Sequence, residues 1–336
     1  MSEVDRTTPS VARSSYRLWL LLGLVVVAVA VFVIRNRRTA PSAGVMVSQP
    51  PGTTAGDARA SFDFWLTVDP FVSAPGDPSA SLDWRVASFG QGARFPVSDT
   101  AVPPSDIAQI VLVRPGGVRR TDELWNTRPE LNKLAFDLHV PSREPGTAVV
   151  ALKTKPVVTA VSAVEFERYL RMARLDRVVA ERERRHETGS PARERFIAEP
   201  KGVIRIGDGT SAGEASSATI PLGPPLALEI VPARDPYSIR VGDALPIRVL
   251  LHGQPLSGVV VSATFVGYAG PAGTYAWSGT SDSAGLVAVP ISAGGAWLVR
   301  GTHMIRLDRD PDADWESYWA SLTFEATPKA PAAERR

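Results

Sequence analysis

Apolar and polar residues along most of this chain alternate in short runs, the two-residue period of strands half-buried in a sheet. The runs FDFWLTV, SLDWRVAS, IAQIVLVRP, KLAFDLHVP and TAVVALKTKP follow one another from about Ala60 to residue 160. Pro-, Gly- and Asp-containing turns separate them. A second series reads ALEIVPA, LPIRVLLHG, SGVVVSATFVGY, TYAWSGT, GLVAVPIS, AWLVRGTHMIR and YWASLTFEA. Ser281-Asp282-Ser283-Ala284-Gly285 and Gly294-Gly295 supply turn residues within it. Both series have the strand spacing of a sandwich. The expectation is a mostly β body of two immunoglobulin- or transthyretin-like β-sandwich domains, over 60–160 and 225–326.

Between the two series the period lengthens. From Val164 to about His186, Phe166, Tyr169/Leu170, Ala173, Leu175 and Val178/Val179 recur every three to four residues, which predicts a helix. Its Arg/Glu tail fits i,i+4 pairs such as Glu181–Arg185 on a solvated face. Pro191 and Pro200 bracket a further short segment, ARERFIAE. Residues 161–206 are therefore expected to form a helical connector, 207–224 a loop, and 327–336 a frayed tail.

A different pattern stands near the N-terminus. After a 17-residue tail, Leu18 to Ile34 (LWLLLGLVVVAVAVFVI) carries no charge, and Tyr16 and Trp19 lie where an aromatic belt would. The stretch predicts one transmembrane helix near the lower length limit. Arg35, Arg37 and Arg38 follow it directly and argue against cleavage there, Ala43 being the alternative cleavage site. Arg6, Arg13 and Arg17 precede it, so the positive-inside rule nearly balances. The body is assigned to the outside from its domain content. Residues 35–59, rich in Ala, Pro, Ser, Gly and Thr, read as a flexible tether.

Composition narrows the chemistry. Hydrophobic residues make up 44% and charged residues 21%, which fits a globular body. The net charge is +2 with no aromatic-interleaved basic stripe, so nothing points to nucleic acid. With no cysteine there is no disulfide, thiolate zinc site or thiol nucleophile. No nucleophile elbow, HExxH helix, phosphate-binding loop or dinucleotide fingerprint is present, and the reading is non-enzymatic. Asp308, Asp310, Asp312, Asp314 and Glu316 alternate, but Ala313 and Trp319 occupy the sixth and twelfth positions where a calcium loop needs Gly and Glu. That stretch reads as a solvated turn, with Asp314 capping the segment into Trp315. Trp65, Trp84, Trp297, Trp315, Tyr318 and Trp319 have the strand spacing of core residues.

Several phrases taken together carry a resemblance: FDFWL, VEFERYLRMARLD, RERFIAEPKGVIRIG, LALEIVPARDP, LPIRVLLHGQPLSGVVV, TSDSAGLVAVPI, WLVRGTHMIR and DWESYWASLTFE. From Phe62 to Glu325 the chain resembles the bacterial domain family of unknown function numbered 4198, described as NikM-like, a periplasmic component associated with nickel and cobalt uptake. The resemblance implies a divalent transition metal, nickel or cobalt, and places a family histidine at His303. A second family histidine, two residues before the Phe-Trp pair, is replaced here by Phe62. His303 is the leading metal ligand, imidazole being a good donor to such ions, with Asp63 and the acidic stretch as partners. The expected protein is a single-pass inner-membrane module with its body in the periplasm, binding through the membrane helix and to an envelope transporter or other envelope protein. The alternative is an envelope structural or interaction module that has lost metal binding.

Overall fold

The computed structural model describes residues 63–72, 83–117, 119–120, 126–141, 144–207 and 215–327. The expected membrane helix at 18–34, the tether at 35–59, Phe62 and residues 328–336 lie outside the described residues. Among the described residues no helix is long and apolar enough to cross a membrane.

The body is mostly β. The first half contributes β1 (Asp63–Asp69), β2 (Trp84–Gly92), β3 (Ile107–Val113), β4 (Arg119–Arg120), β5 (Arg128–Glu130), β6 (Lys133–His139), β7 (Gly146–Thr154) and β8 (Val157–Val161). Two helices follow, α1 (Ala163–Met172) and α2 (Asp176–Arg184), then β9 (Ala192–Ile206) and β10 (Ala215–Ser216). The second half adds β11 (Leu228–Pro232), β12 (Ala244–Leu251), β13 (Gln254–Pro255), β14 (Val260–Phe265) and β15 (Trp277–Thr280). The chain closes with β16 (Leu286–Pro290), β17 (Gly295–Arg306) and β18 (Trp315–Ala326).

These strands form three sheets. One has the order β1-β2-β6-β5 and another β11-β12-β13 with β16 beside β12. The long one runs β15-β14-β17-β18-β9-β7-β3-β4, with β10 on β7 and β8 on β9. Two expected domains therefore share one central sheet. The join is β9, antiparallel to β7 on one side and parallel to β18 on the other.

Alternation along the central strands explains the layering. Successive side chains of a strand point to opposite faces. Ile110, Leu112, Val150, Leu152 and Ile204 meet Leu66, Phe89, Leu134 and Phe136 of the first sheet. Their neighbours Val111, Val113, Val149, Ala151 and Val203 join Ile230, Ile247 and Val249 of the third sheet. Burying both faces requires near-continuous apolar runs, which is why IVLV and TAVVAL do not alternate. Each such fully buried side chain stabilises by about 1.5–3 kcal/mol.

The expected single helix is two. Ser162 caps α1, its hydroxyl accepting from the Glu165 N–H at 3.3 Å. The helix ends at Ala173, and Arg174 adopts a left-handed φ of 58° before α2 begins. Phe166, Tyr169, Leu170, Val178 and Val179 pack onto Met304, Trp315 and Trp319. The helical connector expected over 161–206 is helical only as far as Arg184. ARERFIAE belongs instead to β9, where Ala192, Glu194, Ala198 and Glu199 are buried by strands on both sides.

Candidate functional site

Asp63 opens β1 and is 8% exposed. Arg300 of β17 brings its Nε to 2.8 Å from Asp63 Oδ1. Tyr275, from the segment between β14 and β15, donates its hydroxyl to both carboxylate oxygens at 3.2 and 3.0 Å. The Arg300 guanidinium also donates to Thr302 Oγ1 at 3.0 Å, and it lies over the Tyr275 and Trp319 rings at 5.6 and 5.5 Å from their centroids. Burial, with Asp63 adding, pushes the Tyr275 phenol well above its ordinary value. Tyr275 therefore stays a hydrogen-bond donor. Phe64 follows and sets its ring edge-on to Trp319 at 5.8 Å. Three segments distant in sequence thus close on the first residue of the sheet.

His303 lies three positions beyond Arg300, so the strand pleat turns it to the opposite face. It pairs in register with Tyr318, which belongs to the core under the third sheet. Burial lowers the His303 pKa and the Arg177 charge lowers it further. The imidazole is neutral at neutral pH, but a cation stands beside it. Asp63 and His303 are not brought together, because Asp63 contacts the other face of β17. Among the described residues, no three His, Cys, Asp or Glu side chains gather to hold a metal ion.

The acidic stretch is a turn with Asp308 and Asp312 exposed, as expected, but most of its carboxylates are paired with arginines. Arg195 pairs with Asp310 at 2.8 Å and Glu316 at 3.3 Å. Arg193 pairs with Asp314 at 3.0 Å, and its backbone N–H donates to the same carboxylate at 2.8 Å. Arg185 meets Asp308 at 3.1 Å, and Arg306 meets Glu187 at 2.6 Å. The Arg195 hydrogen bond, helped by the Asp312 and Ala313 N–H groups, holds the Asp310 carboxyl at about 2. Asp314 caps no helix; it fastens β18 to the start of β9. Arg193 and Arg195, two apart at the start of β9, were the signal in the sequence.

A further charged set escaped sequence reasoning because its members are scattered. Lys201 Nζ lies 3.2 Å from Glu229 Oε2, and Lys153 Nζ 3.1 Å from Glu199 Oε1. Glu229 also accepts the Leu222 and Gly223 N–H groups at 2.9 and 2.8 Å. Glu199 accepts those of Ala227 and Leu228 at 3.0 and 2.8 Å. Burial lowers the Lys201 pKa and raises that of Glu199. The set fixes the segment leading into β11. Of the aromatics singled out, Trp65, Trp297, Trp315, Tyr318 and Trp319 are buried; Trp84 is exposed and rests against the His139 ring at 5.0 Å.

A family model described as a domain of unknown function (DUF4198) matches residues 61–305. No curated protein matches. Among solved structures, the chain is similar to the D0-D1 domain of intimin, at 13% identity over 78% of this chain and 97% of that one, with a TM-score of 0.18. A variant of BcpA, the major pilin subunit of Bacillus cereus, is 8% identical over 75% of this chain and 63% of that one, with a TM-score of 0.14. A Dscam structure is 9% identical over 81% and 66%, with a TM-score of 0.16.

Proposed function

Because the chain belongs to the DUF4198 family, we propose that it is a non-enzymatic, membrane-tethered module of the cell envelope. Residues 18–34 anchor it in the inner membrane, and the β body stands in the periplasm and engages another envelope protein. We set this reading above a nickel or cobalt carrier built on His303 and Asp63.

One observation carries the choice. The Asp63 carboxylate is already committed to Arg300 and Tyr275, on the sheet face away from His303. An internal guanidinium neutralises the carboxylate that a metal would use. His303 alone, beside Arg177, offers one imidazole and a repelling charge. Specific transition-metal sites gather several such donors in fixed geometry.

Calorimetric titration of the full-length protein in detergent with Ni²⁺ and Co²⁺ tests the reading. The expected result is no binding tighter than about millimolar. A micromolar or tighter site that disappears in His303→Ala would overturn it in favour of the metal carrier. A C-terminal reporter active only outside the cytoplasm is expected to be active, which checks the placement of the body.

A further inference from the structure

Among the described lysines only Lys201 is buried, at 2% exposure. Its amine faces Glu229, itself 1% exposed, at 3.2 Å. The Leu222 N–H lies 2.9 Å from Glu229 Oε2 and the Gly223 N–H 2.8 Å from Oε1. Glu199 stands two residues before Lys201 on the same face of β9 and is 1% exposed. An amine held against a carboxyl group, two N–H donors aimed at the carboxyl oxygens and a neighbouring acid are the parts that acyl transfer requires.

We propose that Lys201 and Glu229 condense into an intramolecular amide that covalently joins β9 to β11. The Lys201 ammonium gives one proton to Oε2 of the Glu229 carboxylate. The freed amine attacks Glu229 Cδ, and a C–N bond forms. The Gly223 N–H then holds Oε1, the negative oxygen of the tetrahedral intermediate, while the Leu222 N–H stays on Oε2, the oxygen that leaves. The C–OH bond then breaks, and the hydroxyl leaves as water with a proton from the nitrogen, relayed by Glu199. An ammonium and a carboxylate become one amide and one water, with no redox change and no further reactant.

Burial favours each stage. It lowers the Lys201 pKa, which brings the neutral, nucleophilic amine within reach, and it raises that of Glu199, which suits that group to carry a proton. The condensation also removes two charges from a dry site, where an ion pair does not fully recover its desolvation cost. Other buried pairs lack these features. Lys153, opposite Glu199, is partly exposed. Arg300, opposite Asp63, has a guanidinium that is never deprotonated and so is no nucleophile. The amide is independent of the function proposed above.

Peptide mass spectrometry of the digested full-length protein decides the matter. The peptides carrying Lys201 and Glu229 are expected to appear as one branched species, lighter than their sum by one water, about 18 Da. In Glu229→Gln the branched species persists, and ammonia, about 17 Da, is lost instead. Lys201→Arg, which keeps the charge pair, yields two linear peptides. Two linear peptides at full mass from the unaltered protein would overturn the proposal whatever the variants do.

Discussion

Arg300 carries a charge into a site 6% exposed, and Asp63 is what makes that tolerable. Removing one partner of a buried pair leaves the other charge uncompensated, which costs about 3–5 kcal/mol. Asp63→Ala is expected to lower unfolding free energy by about that amount in urea titrations. Arg300→Met added to it should recover most of the loss. A single-variant loss below about 1 kcal/mol would mean that water reaches Arg300 and the clasp is not closed. The acidic stretch makes a different prediction, with a definite sign. The Asp310 carboxyl, ordinarily near 3.8, is held at about 2. A depressed carboxyl stabilises the fold above its unfolded value, and the contribution is lost as pH falls from 3.8 towards 2. Asp310→Asn should lose less stability than the unaltered protein between about pH 5 and pH 2, measured by denaturant midpoints. Identical losses in both would remove Asp310 from the account. Asp63 could be singled out in the sequence, but its partners could not. Arg300 and Tyr275 lie more than two hundred residues away, and no local period marks a side chain that pairs across sheets.

Elements were legible wherever one face alone decides their period. β1, β2 and β6 of the first sheet and the helical stripe of Phe166, Tyr169 and Leu170 read directly from spacing. The break at Arg174 did not, because Leu175 and Val178 keep the helical spacing across it. β9 was hidden for another reason. Its first half carries Arg193, Glu194 and Arg195 straight after an Arg/Glu-rich helix, so charge density masked the strand period. Gly202 shows how tightly that strand is held. A Cβ there would stand 2.8 Å from the Leu66 carbonyl oxygen and 3.3 Å from Val68 Cγ2. The oxygen is backbone of β1 and also accepts from the Thr323 hydroxyl, so it cannot simply turn away. Gly202→Ala should push β1 off the central sheet and cost about 1–3 kcal/mol. Gly189→Ala, with nothing within 4 Å, is the matched control and should change the denaturation midpoint little.

At the scale of the whole body, the sequence suggests two sandwiches in a row, and the strand register builds something more continuous. The described residues cluster as one compact unit. The reason is that β3, β7 and β9 give alternate residues to two cores, Leu112, Val150 and Ile204 to one and Val113, Val149 and Val203 to the other. Melting either outer sheet would expose an apolar face of the same three strands. Neither half can therefore lose its sheet without cost to the other. Loss of Leu112→Ala and of Val249→Ala packing, on opposite sides of the central sheet, should each shift one common transition rather than separate ones. Each substitution creates a core cavity; Leu112→Ala should cost about 2–5 kcal/mol, and Val249→Ala, which removes fewer carbons, less. Tryptophan fluorescence and far-ultraviolet circular dichroism should move together, since Trp65 sits beside the first core and Trp297 within the second. Calorimetric and van't Hoff enthalpies should agree, as they do for a single cooperative unit. Two transitions, one moved by Leu112→Ala and the other by Val249→Ala, would show instead that β9 joins two domains that fold apart.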